Sequence, residues 1–222
     1  CQFSKTNVKI KNSVFQNVKS WGGRINQTPG RLSNLLVKNS ETGFIIDGST
    51  ITNLERSIFY NNVNDCEIFA LDSIFIHNNV FTKSNVNITL IEVKGMISNN
   101  IFQYSNENIG ISNISNIEII FNEFKNNQQN IILRSLSHQT YQVITGVNKN
   151  NFFKTVDYVI ELEPKSAKED VNAKLNYWGT VYSSEIEEKI YDKNDFFMNT
   201  MKFVNYDPFY DVMIDSAGLL IK

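Results

Sequence analysis

Short runs of alternating apolar and polar residues recur along the chain, and their pattern returns every 21 or 22 residues. The segments Ile10-Lys-Asn-Ser-Val-Phe15, Leu32-Ser-Asn-Leu-Leu-Val37, Leu54-Glu-Arg-Ser-Ile-Phe59, Ile76-His-Asn-Asn-Val-Phe81, Ile97-Ser-Asn-Asn-Ile-Phe102 and Ile119-Ile-Phe-Asn-Glu-Phe124 superimpose without a gap. Their last residues are spaced by 22, 22, 22, 21 and 22. A fixed period of this size marks a solenoid, because one repeat cannot bury its apolar face and must stack on its neighbours.

Taking the last residue of each segment as the origin, a second alternating run appears in every turn. Seven positions on stand Phe44, Cys66, Ile88, Ile109, Ile131 and Ile160, and nine positions on stand Ile46, Ile68, Leu90, Ile111, Leu133 and Leu162. The positions between and beyond them are mixed: Ile45, Glu67, Thr89, Gly110, Ile132 and Glu161, then Asp47, Phe69, Ile91, Ser112, Arg134 and Glu163. Period two predicts strands with one face inward. Equivalent strands in successive turns must lie about 4.8 Å apart and parallel. The predicted fold is therefore an all-β, right-handed parallel β-helix, its hand taken from the chirality of parallel crossovers.

Asparagine recurs beside one corner, at Asn12, Asn34, Asn78 and Asn99, and next to it at Asn79, Asn100, Asn122, Asn151 and Asn176. An amide both donates and accepts, so stacked copies are expected to form ladders that satisfy the backbone of the bend. The repeat breaks in three places. Trp21-Gly22-Gly23-Arg24 stands where the core columns want apolar residues and is expected to bulge out as a loop. Between Phe124 and Phe153 the spacing grows to 29, which assigns an insertion around Ser137-His138-Gln139-Thr140-Tyr141. After Asn176-Tyr177-Trp178-Gly179-Thr180 the pattern stops. Ser184 to Glu187 then has the spacing of a capping box, opening a helix that buries Ile186 and Ile190 and ends near Asp192. That helix and the segment from Lys202 to Tyr210 are expected to cover the exposed end of the solenoid.

Composition adds mainly exclusions. A net charge of −2 gives no field for nucleic acid phosphates. No apolar stretch reaches the roughly 18 residues of a membrane span. The two cysteines, Cys1 and Cys66, fit neither a disulfide scaffold nor a zinc site. Cys66 falls in a core column, and Cys1 is read as the start of a piece cut from a longer protein rather than a lipidated terminus. Asn26, Asn87 and Asn113 begin glycosylation triplets of the kind an asparagine-rich chain produces by chance.

The closing run Asn176-Tyr177-Trp178-Gly179-Thr180, then Ile186 to Asp192, then Val204-Asn205-Tyr206-Asp207-Pro208, resembles the end of the bacterial right-handed parallel β-helix repeat proteins. The Ile-x-Asn-Asn-x-Phe rungs are similar to theirs as well. The resemblance implies an exported or cell-surface protein, on a scaffold that also serves polysaccharide lyases, glycosidases, epimerases and phage tailspikes. It implies a fold and a compartment more than a chemistry.

A lyase needs carboxylates that hold calcium against an acidic sugar, with a Lys or Arg beside them as base. Asp47 and Glu67, on adjacent turns, are the candidate ligands, but the nearest base in the same outward columns, Arg134, is four turns or about 19 Å away. Arg134 is expected to pair with Glu163, and Asp72 with Lys94, as surface ion pairs. Glu161 and Glu163 stand side by side as solvated groups. His77 lies in a corner column and His138 in the inserted loop, neither with an assigned acidic partner. Ile45, Phe69, Ile91 and Ile132 form an outward apolar strip that, with Arg134 and His138, makes the candidate contact surface for glycan or another domain.

The sequence therefore predicts one β-helix over residues 1–180, truncated at its N-terminal end, and a cap and tail over 181–222. The expected role is a non-catalytic, monomeric module of a larger exported or cell-surface protein, a rigid spacer with polysaccharide or its own further domains as partners and no cofactor. Two rivals stand beside it: a carbohydrate-active enzyme on acidic glycans, with calcium at Asp47 and Glu67, and a trimeric tailspike segment.

Overall fold

The computed structural model describes residues 2–4, 7–48, 51–113, 115–135, 143–196 and 200–220. They form a parallel β-solenoid of about six turns with three faces per turn. The first face holds Trp21–Asn26, Thr42–Asp47, Glu107–Ser112, Gln129–Arg134 and Ile160–Leu162. The second holds Ile51–Glu55 and Asn116–Ile120, and the third holds Ile58–Tyr60, Val80–Thr82, Ile101–Gln103, Glu123–Lys125 and Asn151–Phe153. The long strands Asn64–His77 and Val86–Ser98 run from the first face onto the second. Register is kept turn by turn, as in Phe44↔Cys66, Cys66↔Ile88 and Ile88↔Ile109.

Sharp corners between straight faces require left-handed backbone, and each corner supplies it at one residue per turn. The corner between second and third faces uses Asn12, Asn34, Arg56, Asn78, Asn99, Phe121, Lys149 and Leu175; that between third and first uses Asn17, Asn39, Asn61, Lys83, Tyr104, Asn126 and Lys154. Asparagine tolerates this conformation better than most side chains, which accounts for much of the asparagine content.

Two stacks fill the interior beside the aliphatic columns. Phe59, Phe81, Phe102, Phe124 and Phe152 lie ring on ring at 4.9 to 5.0 Å, the rung spacing itself, and Trp178 closes the column 5.2 Å beyond Phe152. The buried amide ladder runs through Asn79, Asn100, Asn122, Asn150 and Asn176, each Nδ2 donating to the next Oδ1 at 2.9 to 3.1 Å. Each ladder oxygen also accepts a backbone N–H from the preceding turn, so the bend leaves no orphan amide there. The closing motif is thereby explained: Asn176 ends the ladder, Trp178 ends the ring stack, and Gly179 adopts φ +78 where a Cβ would lie 2.9 Å from the Phe152 carbonyl.

Several expectations need correction. Trp21 to Arg24 is not a loop but part of a strand in register, Gly23↔Phe44 and Arg24↔Ile45. The Phe44 ring takes the space that a side chain at 23 would need, since a Cβ there would come 2.3 Å from it. Phe152, not Phe153, continues the ring stack, and Asn150, not Asn151, continues the ladder at a spacing of 28. The insertion loop and Cys1 lie outside the described residues. The helix is a single turn, Ser183–Glu187, with no side-chain cap bond, so the capping box does not form. Ile190 instead sits in a short strand, Ile190–Tyr191, that pairs with Ile160 and adds a rung to the first face. No helix among the described residues is long and apolar enough to cross a membrane.

Candidate functional site

The expected strip on the first face is less exposed than its sequence column implied. Ile45, Phe69 and Ile91 are half-buried and Ile132 is only 3% exposed. Arg134 stands beside them, but Glu107 is its main partner, held by two bonds at 2.7 and 2.5 Å, while Glu163 is 4.0 Å away. The two side chains meet across Gly110, whose missing Cβ leaves the room. Burial opposes the charge on Arg134, but the hydrogen bonds and charge of Glu107 win and raise its pKa. His138 lies outside the described residues.

The carboxylates proposed as cation ligands are already engaged. Asp47 accepts from Arg24 at 3.1 Å, a base placed close by once residues 21 to 26 form a strand, and Glu67 accepts from Asn64 at 2.8 Å. Among the described residues no three His, Cys, Asp or Glu side chains gather as a metal site. Asp72 and Lys94 fall at a register shift and form no ion pair among those residues. Glu161 accepts from Gln129 at 2.7 Å, and burial and then Glu163 raise its pKa. Burial likewise pushes the Cys66 thiol well above its ordinary value, which leaves it unreactive.

A more concentrated site lies at the corner between third and first faces. An open groove of about 730 Å³ runs along the solenoid axis past Asn17, Asn39, Asn61, Lys83 and Tyr104, the left-handed residues of five successive turns. Its rim carries amides already in ladder contact: Asn61 Nδ2 donates to Asn39 Oδ1 at 2.9 Å, and Asn106 Nδ2 to Asn85 Oδ1 at 2.8 Å. Lys83 lies 5.5 Å over the Tyr60 ring, and Tyr104 is 56% exposed. The signal for this row in the sequence is the repeat of Asn17, Asn39 and Asn61 at 22, which lies outside the alternating runs that mark the faces.

The groove floor is tied to a second buried ladder. Ser40, Asn62 and Ser84 line it, and Asn62 Nδ2 and Ser84 Oγ both donate to Asp65 Oδ1 at 2.7 Å. Asp65 begins a column that continues through Asn87, Asn108 and Asn130, with Asn87 donating to Asn108 at 2.5 Å and Asn108 to Asn130 at 2.8 Å. Asp65 has no exposed surface and its Oδ2 has no hydrogen-bond partner. Burial pushes its pKa up to about 8, against the opposing hydrogen bonds from Asn62 and Ser84.

The second face carries a charged cluster around Glu55, itself 5% exposed. Its oxygens meet Arg31 at 2.5 Å, Arg56 at 3.3 Å and His77 at 3.7 Å. His77 therefore does have an acidic neighbour, yet burial outweighs it and lowers the imidazole pKa. Comparison of the chain with protein-family models, with curated proteins and with solved structures returned no match.

Proposed function

We propose that the chain is a rigid, non-catalytic β-helix module of a larger exported or cell-surface protein, and that it contacts glycan along the amide-lined corner groove. The observation that carries this reading is the row of five successive corner residues, Asn17, Asn39, Asn61, Lys83 and Tyr104, along one open groove. Amides offer donors and acceptors together, as sugar hydroxyls require, and an exposed tyrosine presents both an apolar face and a polar tip. The groove follows the axis, so a linear chain of sugars laid in it meets Asn17, Asn39 and Asn61 and then Lys83 and Tyr104 on successive rungs. Rigidity follows from the ladders, whose bonds join every turn to the next.

The rival lyase reading draws less support. A lyase uses unsatisfied carboxylates and a poised base, whereas Asp47 is neutralised by Arg24, Glu107 by Arg134 and Glu55 by Arg31 and Arg56. The test is a glycan array on purified protein, run beside an absorbance assay for unsaturated uronate products with and without calcium. Binding to a defined glycan class without product is expected. Product formation would overturn the reading and return attention to Asp47 and Glu67.

A further inference from the structure

The C-terminal segment shows how one corner of this solenoid takes up a stretch of polypeptide, here one that turns at Ile214 to Ala217 and is left-handed at Gly218. From Tyr210 to Leu220 it follows the corner between second and third faces, back toward the early turns. Tyr210 N–H donates to the Asn176 carbonyl at 2.9 Å, and Asn151 clasps Ile214 with two bonds, Nδ2 to its carbonyl at 3.0 Å and Oδ1 from its N–H at 2.9 Å. Farther along, Gly218 N–H donates to the Phe121 carbonyl at 2.8 Å, Asn99 Nδ2 to the Ser216 carbonyl at 3.0 Å, and Leu220 N–H to Asn78 Oδ1 at 3.1 Å. These bonds all go to the backbone of the segment. Such recognition reads main-chain N–H and C=O groups rather than side chains.

Past Asn78 the same corner continues through Arg56, Asn34 and Asn12, in the same left-handed backbone, beside a depression of about 440 Å³. Asn34 Nδ2 donates to Asn12 Oδ1 at 3.0 Å. Among the described residues Asn34 Oδ1 and Asn12 Nδ2 have no further hydrogen-bond partner, an acceptor and a donor in the two roles that Asn78 and Asn99 play for the tail. The charge changes along the way. Lys9, Lys11, Arg31 and Arg56 line the depression against the single carboxylate of Glu55, and Lys9 and Lys11 have no ion-pair partner among the described residues. The local excess is positive on a chain whose net charge is −2.

We propose that this end of the corner binds an acidic polypeptide segment, laid in line with the protein's own tail. Asn34 and Asn12 hold its backbone, while Lys9, Lys11, Arg31 and Arg56 hold its carboxylates. A polypeptide fits better than an acidic glycan because the corner amides already match peptide N–H and C=O groups over the preceding turns. The site is separate from the glycan groove and does not depend on it.

The test is fluorescence polarisation with a labelled hexaglutamate peptide at low salt, beside an oligogalacturonate of equal charge and a hexalysine control. The hexaglutamate is expected to bind more tightly than the oligogalacturonate, and hexalysine not at all. The Lys9→Ala/Lys11→Ala double variant, which alters only exposed side chains, should weaken binding at least tenfold, in line with a loss of about 1.4 kcal/mol. Asn34→Gly keeps the left-handed backbone and removes the amide, so it should weaken the peptide and leave the oligogalacturonate unchanged. Absence of hexaglutamate binding, full binding by the double variant, or tighter binding of the oligogalacturonate would each overturn the proposal. A Tyr104→Ala variant should bind the peptide normally, so failure of the glycan reading is read out separately.

Discussion

Replacing Asp65 with asparagine should stabilise the protein by an amount that grows with pH. Asp65 stands at the head of a column of buried amides, in register beside Asn87, because Cys66 pairs with Ile88. Its Oδ1 is fully used by Asn62 and Ser84, whereas its Oδ2 is buried without a partner. An ionised carboxylate in that place lacks solvation. A neutral acid fits, because it carries no charge that needs solvation there.

With the pKa pushed from 3.8 to about 8, folding takes up a proton across that interval. The contribution of Asp65 is therefore fully present below about pH 4 and is lost as pH rises toward 8. Each pH unit changes stability by about 1.4 kcal/mol, so the neutral acid costs about 4 kcal/mol at pH 7 relative to pH 4. Asp65→Asn has the same shape, is never charged, and puts an N–H where the proton would be. Urea denaturation at several pH values should show variant and wild type close together near pH 4 and diverging steadily above it. Parallel pH profiles, or a wild type more stable than the variant at neutral pH, would refute the assignment of Asp65 as a neutral acid.

Other perturbations follow from the same structure. Phe102→Ala, in the middle of the ring stack, should cost about 3 to 5 kcal/mol by urea denaturation, clearly more than truncation of half-buried Phe15. Asn100→Ala removes donors to Ile76, Ser98 and Asn122 and an acceptor for Asn79, and a loss below about 1 kcal/mol in the same assay would argue against the ladder as a source of stability. Arg134→Ala leaves Glu107 buried and unpaired and should cost about 2 to 4 kcal/mol, much of it recovered when Glu107→Gln is added.

The sequence made the solenoid legible because stacking forces equivalent residues into columns, and columns are visible without coordinates. Ile88, Leu90, Ile97 and Phe102 all point inward as their columns require. Exposure on the faces was harder to read. Ile132 stands in an outward column yet is only 3% exposed, since alternation along a strand does not register what lies over its outward positions. Arg24 was hidden as a partner for Asp47 because two glycines beside it look like a break, whereas Gly23 is small to accommodate the Phe44 ring. One-residue slips at Phe152 and Asn150 arose at the insertion, where two adjacent phenylalanines and two adjacent asparagines fit the pattern equally well.

Corners were the least legible part. Their chemistry rests on one left-handed residue per turn, and a column mixing Asn17, Asn39 and Asn61 with Lys83 and Tyr104 has no apolar period to betray it. The groove along that corner is nevertheless where the proposed function rests. Calorimetric titration of the best glycan from an array into wild type, Tyr104→Ala and Lys83→Ala tests it most directly. The wild type should bind, and each variant should lose about tenfold or more in affinity with thermal stability unchanged. Equal affinity in all three proteins, or no glycan bound by the wild type, would contradict it.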